Sequence, residues 1–229
     1  MNKSSFRSLD RLASVTTAFL AAQCGVALLG FVPESMWTEL GESLSEQSDF
    51  AALAVTLGFG MGAIVALLVV VFGTIISFLM WMNRAAWNVR ALLPGATFEF
   101  TPGWCVGWWF IPFANLIKPA HAMSEIAKAS SAAAMRDRND PYVSSWMTAS
   151  TPTIVGTWWA AWVISNLIER IGSRSGDVYI VGVFSSIFSI AAAVLCIIMI
   201  REVTAAQRDA HARQASDVRF AAGIAHVAQ

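Results

Sequence analysis

Residues 100–119 read FTPGWCVGWWFIPFANLIKP. The stretch is almost wholly apolar, carries Trp104, Trp108 and Trp109, and is punctuated by Pro102, Pro112 and Pro119. A helix from Pro102 to Ile117 would have about 16 residues and a length of roughly 24 Å, against a hydrocarbon core of about 30 Å. That is short for a span and suits a re-entrant or interfacial element. Thr101 is placed to cap such a helix and Pro102 to occupy its first position, where the missing N–H costs nothing. Pro112 should break it. Gly103 and Gly107 share a face, and their Gly-x-x-x-Gly spacing predicts the close approach of another helix. Irregular backbone at membrane depth is tolerated only where protein or a watery cavity covers it, so the break and the amide of Asn115 could line a site.

The rest of the chain has the composition of a frame for this element. Of its 229 residues 56% are hydrophobic and 13% charged, with a mean hydropathy of +0.59. These values describe a polytopic membrane protein with one membrane domain. Formal net charge is zero, so nothing selects nucleic acid as a partner. Cys24, Cys105 and Cys196 sit in apolar runs without metal-ligand spacing and read as packing residues. No cofactor motif and no metal-ligand set is expected.

Lys3, Arg7 and Arg11 precede a first apolar run, Leu12 to Val32, that lacks a cleavage site and reads as a retained span. Pro33 to Phe50 reads as an acidic loop with a cap for the next helix at Ser48 or Asp49. Ala51 to Met82 is uncharged, and its helical pattern continues to a stop at Pro94-Gly95, with Gly58, Gly60 and Gly62 marking a bend or a close helix contact. Pro119 to Met135 reads as an amphipathic helix, Met135 to Pro141 as a polar turn, Thr151-Pro152 as the start of a third span ending at Gly172, and Val178 to Ile200 as a fourth. Arg201 to Arg219 reads as a solvated helical extension.

Charge counting selects the topology. With four spans, 13 of the 15 Lys and Arg residues lie on the cytoplasmic side and only Arg170 and Arg174 lie outside. A fifth span through Pro102 to Ile117 would destroy that asymmetry. The expectation is an all-α fold of four transmembrane helices with a Trp/Pro-rich re-entrant or interfacial cytoplasmic hairpin between the second and third. Residues 1–11 and 201–229 are then cytoplasmic, and residues 12–200 form one membrane domain that includes 100–119. The location is the plasma membrane.

The central string, preceded by WMNRAAWNVRALL and followed by a Trp-rich third span, resembles a bacterial membrane family catalogued as domain of unknown function 4328. The resemblance covers roughly Phe50 to Ile200. It departs at Cys105, where the family usually has a small residue, and at Ala120, where it usually has an aromatic. It implies a multi-pass bacterial membrane protein and supplies no activity, substrate or catalytic residue.

Three function classes are weighed. In the first, a non-enzymatic binding or accessory protein uses a cytoplasmic vestibule of basic and aromatic residues to hold lipid headgroups, anionic ones among them, or a membrane partner, including a second copy of the chain. The polar groups that end the second helix and close the central stretch, Arg84, Asn88, Asn115 and Lys118, form this candidate site with Trp104 and Trp108. In the second class, a small transporter or channel, an ionisable group inside a span would be usual, and the interiors of all four apolar runs lack one. In the third, a lipid-modifying enzyme, His121 and Glu125 at i, i+4 would act beside Arg84 and Lys118, but no nucleophile motif accompanies them. Catalytic residues are therefore not assigned.

Overall fold

The structure, a computed structural model, describes residues 5–45, 50–135, 146, 150–172 and 178–227. Among them it contains seven α-helices and no strand: α1 Asp10–Ala27, α2 Glu34–Ser45, α3 Phe50–Leu92, α4 Pro102–Gly107, α5 Lys118–Met135, α6 Thr153–Gly172 and α7 Val178–Val227. Two helical stretches, Gly60–Leu92 in α3 and Tyr179–Ile224 in α7, are long and apolar enough to cross a membrane. The expected caps at Ser48 or Asp49 and the polar turn after Met135 lie outside the described residues.

Local rules explain most helix ends. Thr101 accepts the N–H of Trp104 through its side chain, and Pro102 opens α4, as the sequence requires. The central stretch then breaks near Pro112 into two 3-10 turns, Trp108–Phe110 and Ala114–Leu116, instead of continuing as a helix. Two expectations need correction. Glu34–Ser45, read as a loop from its acidic residues, is helical. The extension after Ile200 is solvated on one face only, because Val203, Thr204, Gln207 and Ala210 are buried.

The chain divides into two compact units. The first comprises Met1–Val15, Phe78–Thr157 and Ile197–Gln229. Its core is built from one stripe each of α3 (Trp81, Met82, Ala85, Ala86, Val89), α5 (Ala122, Met123, Ile126, Ala129) and α7 (Met199, Ile200, Val203, Ala210). Each set follows helical spacing, and the many alanines suit close helix approach. Two polar side chains are tied into this core. The Trp81 indole N–H donates to the Thr204 hydroxyl at 3.1 Å. Gln207 Nε2 donates to the Ala85 carbonyl at 3.2 Å and to Ser130 Oγ at 2.9 Å, joining all three helices.

The second unit comprises Thr16–Ser77 and Trp158–Cys196. Thr16, Ser77, Ser165, Ser185 and Ser186 are buried in it, whereas Ile64, Val65, Leu68, Val69, Phe72 and Ile76 are exposed. Small polar residues inside and large apolar ones outside are the arrangement expected of helices surrounded by hydrocarbon. Ser185 Oγ donates to Glu169 at 2.7 Å. Trp159 and Trp162 stack at 4.8 Å.

Two glycines make close helix contacts here, Gly172 with Val181 and Gly73 with Phe19, and neither is among Gly58, Gly60 and Gly62, the three that spacing suggests. A Cβ added at Gly58, Gly60 or Gly62 meets nothing within 4 Å, while one at Gly73 would overlap the ring of Phe19 on α1. Gly73→Val is therefore expected to destabilise the protein by about 1–3 kcal/mol, and Gly62→Val by less than 0.5 kcal/mol or so, in thermal unfolding in detergent. Equal melting of the two variants would refute the assignment.

Candidate functional site

The N-terminal residues before α1 are fixed to α3 by an amide. The Arg7 backbone N–H donates to Asn88 Oδ1 at 3.0 Å, and Asn88 Nδ2 donates to the Arg7 carbonyl at 2.8 Å. Arg84 adds a bond from its guanidinium to the Ser8 carbonyl at 3.3 Å. Phe6 stacks on His211 of α7 with centroids 4.1 Å apart, and Asp10 pairs with Arg208 at 3.8 Å. These contacts hold the segment across two helices of the first unit.

Beneath it lies a cavity of about 800 Å³ lined by Ser5, Arg7 and Leu12, by Leu79, Met80, Asn83, Arg84, Trp87 and Asn88 of α3, and by Gly103 and Val106 of α4. No Asp or Glu is among these residues. Among the described residues the Arg7 side chain has no ion pair, and that of Arg84 makes only the bond to Ser8. Asn83 Nδ2 donates to the Pro102 carbonyl at 2.8 Å, which sets the start of α4 against α3. Gly103 opens on space: a Cβ there meets nothing within 4 Å, and one at Gly107 meets only the ring of Trp104 on the same helix. The expected close helix contact on this glycine face is thus absent, because α4 is one and a half turns long and its glycines face a cavity and a neighbouring indole.

A second cluster surrounds the loop that leads into α4. The Glu125 carboxylate accepts the N–H groups of Glu99 at 2.6 Å and Phe100 at 3.3 Å. Arg90 donates to the carbonyls of Ala86 and Phe100 and lies 4.5 Å over the Phe98 ring, which itself stacks near Trp146. Burial pushes the Glu125 carboxyl up against the opposing pull of its two N–H donors and Arg90. Burial also raises the Cys105 thiol to about 11, which keeps it an unreactive packing group. Glu125 is therefore engaged by the loop rather than by His121, although the two are one helical turn apart. Lys118 pairs with Glu99 at 3.7 Å and lies 5.4 Å and 5.8 Å from the rings of Phe100 and Trp108. Trp104 and Trp108 are 4.8 Å apart.

The six residues proposed from the sequence fall into three groups. Arg84 and Asn88 line the cavity; Trp104, Trp108 and Lys118 gather beside it in sequence but do not line it; Asn115 sits in the second 3-10 turn, its N–H donating to the Ile111 carbonyl at 3.0 Å. The residue sequence reasoning missed is Arg7. It looked like one of several basic residues flanking a span, and its contact with Asn88 bridges 81 positions, for which no local pattern exists.

Comparison with curated proteins and with solved structures finds no match. The family model described as Domain of unknown function (DUF4328) matches residues 44–205, which include α3 to α6, the central stretch and most of the apolar part of α7, and the chain belongs to that family.

Proposed function

We propose that this is an integral membrane protein of four spans, α1, α3, α6 and α7, with both termini and the central hairpin cytoplasmic, and that its first unit binds the headgroup of an anionic lipid without chemistry. The observation that carries the ligand class is the cavity in which, among the described residues, Arg7 and Arg84 stand with no carboxylate in the lining, beside the apolar side chains of Leu12, Leu79, Met80 and Val106. Cationic groups next to apolar walls match a phosphate attached to an acyl chain. Each such cation is worth about 1 kcal/mol near an anionic leaflet. Asn88 serves this site by holding Arg7 in place, and the Trp104–Trp108–Lys118 cluster extends the basic and aromatic surface.

The test is lipid retention by the full chain purified from mixed phosphatidylglycerol and phosphatidylcholine bilayers, read by native mass spectrometry. Arg7→Gln with Arg84→Gln is expected to reduce the preference for phosphatidylglycerol about 30-fold, from roughly 2 kcal/mol. Gly103→Phe, which adds bulk in open space, should do so by occlusion while leaving the melting temperature unchanged, and Lys128→Gln should do neither. An unchanged preference in both cavity variants sinks the reading. Topology is checked separately by impermeant cysteine labelling in intact cells, where Glu42→Cys and Ser175→Cys should react and Arg138→Cys and Ala215→Cys should not; reaction at Arg138→Cys would show that the central stretch crosses.

A further inference from the structure

We propose that the segment Phe110 to Ile117 is a membrane-contacting tip that rests at the border between headgroups and acyl chains of one leaflet. This rests on the membrane reading above and is independent of the Arg7–Arg84 cavity. The first observation is exposure: Phe110 and Phe113 are 71% and 85% exposed, and Ile111, Leu116 and Ile117 are exposed with them. From Thr101 to Ile117 there is no charged residue. An uncharged tip of five large apolar side chains is a poor surface to leave in water.

The backbone of the tip is prepared for a medium of low polarity. The N–H groups of four successive residues are satisfied inside it: Ala114 donates to the Pro112 carbonyl at 2.8 Å, Asn115 to Ile111 at 3.0 Å, Leu116 to Phe113 at 3.2 Å and Ile117 to Ala114 at 3.1 Å. Pro112 has no N–H to satisfy. Polar backbone can approach hydrocarbon only when its groups are paired in this way. The bond from Ala114 to Pro112 closes a three-residue turn around Phe113, whose φ of +64° and ψ of −41° are rare and strained for a residue with a side chain. Glycine would take that conformation freely. A phenylalanine there places a strained, exposed aromatic ring at the apex, a choice that stability in water does not explain.

Behind the tip the polarity rises in the order of a bilayer interface. The indoles of Trp104 and Trp108 form a pair, the Lys118 ammonium lies 5.8 Å from the Trp108 ring, and Lys118 pairs with Glu99. Phenylalanine and aliphatic residues, then tryptophan, then lysine is the succession found from acyl border to headgroup. With α4 only six residues long, the indoles and Lys118 stay within a few residues of the apex, which limits the depth to the border and keeps the tip out of the bilayer centre.

The test uses the full chain with Cys24→Ala, Cys105 and Cys196 being buried, carrying Phe113→Cys labelled with an environment-sensitive nitrobenzoxadiazole probe and reconstituted in phosphatidylcholine–phosphatidylglycerol vesicles. A probe at Ser216→Cys, exposed on α7, is the reference. The probe at 113 is expected to emit to the blue of that at 216 and to be quenched at least twofold more by a lipid nitroxide at acyl carbon 5 than by one at carbon 12. Stronger quenching from carbon 12 would overturn the border position in favour of a re-entrant loop. A shifted but unquenched probe would mean that protein, such as a second copy, covers the tip, and an unshifted, unquenched probe that water does; either overturns the proposal. Vesicle flotation separates the premises: a chain that fails to float removes the membrane reading itself, whereas a floating chain with a silent probe removes only the tip.

Discussion

Trp81→Ala is expected to cost about 3–5 kcal/mol, the largest single loss in the first unit, and to abolish a cooperative thermal transition in a protein of ordinary marginal stability. The side chain is fully buried on α3, with the Phe78 ring 5.9 Å away and Thr204 of α7 within hydrogen-bond reach, so truncation leaves a cavity that helices cannot close without moving as wholes. It also leaves the Thr204 hydroxyl without the indole N–H that meets it at 3.1 Å. Trp81→Phe should recover most of the loss, because it restores ring volume and forfeits only the hydrogen bond, worth about 1 kcal/mol. Thermal unfolding in detergent decides the matter. If Trp81→Ala and Trp81→Phe melt alike, the hydrogen bond and not the packing holds this corner.

The second large effect is expected for Asn88→Leu. Its side chain is 1% exposed and spends both its acceptor and its donor on the backbone of Arg7. Leucine would strand a backbone N–H and a carbonyl at about 1–3 kcal/mol each unless the segment lifts away to water. Lifting is the cheaper outcome, so the variant should show trypsin cleavage after Arg7 where the parent resists, together with loss of the phosphatidylglycerol preference that Arg7 supports. Arg84→Gln, which keeps the Asn88 clamp, should lose lipid without gaining cleavage. A variant at Asn88 that resists trypsin as the parent does would show that the clamp is dispensable.

The Asn88–Arg7 clamp is a long-range contact that local sequence patterns do not show. The long α3, the Thr101 cap with Pro102 and the break near Pro112 were legible because each follows from residues within a few positions of one another. The polarity of Asn88 was legible too, and suggested a ligand; its actual partner is 81 residues away and is backbone, which leaves no trace in composition or spacing. Glycine contacts failed for a related reason. Gly58, Gly60, Gly62, Gly103 and Gly107 have suggestive intervals, but whether a glycine is needed depends on the neighbour, and only the fold brings Phe19 onto Gly73. Helix α2 reads as a loop from its acidity alone, although glutamate is a good helix former.

The amide of Gln207 has one more effect. Its Nε2 reaches Ala85 on α3 and Ser130 on α5 at once, while its buried Oε1 has no partner among the described residues. Were α7 to slide by one helical turn, about 5.4 Å, the amide would enter an apolar layer with its donors unpaired. Slippage of these three helices past one another by a turn therefore carries the cost of that unpaired amide. Substitutions that only exchange apolar volume can be absorbed at many core positions, whereas the register of these helices is held by directional bonds, from Trp81 to Thr204, from Gln207 to Ala85 and Ser130, and from Gln214 Nε2 to the Leu92 carbonyl at 2.7 Å.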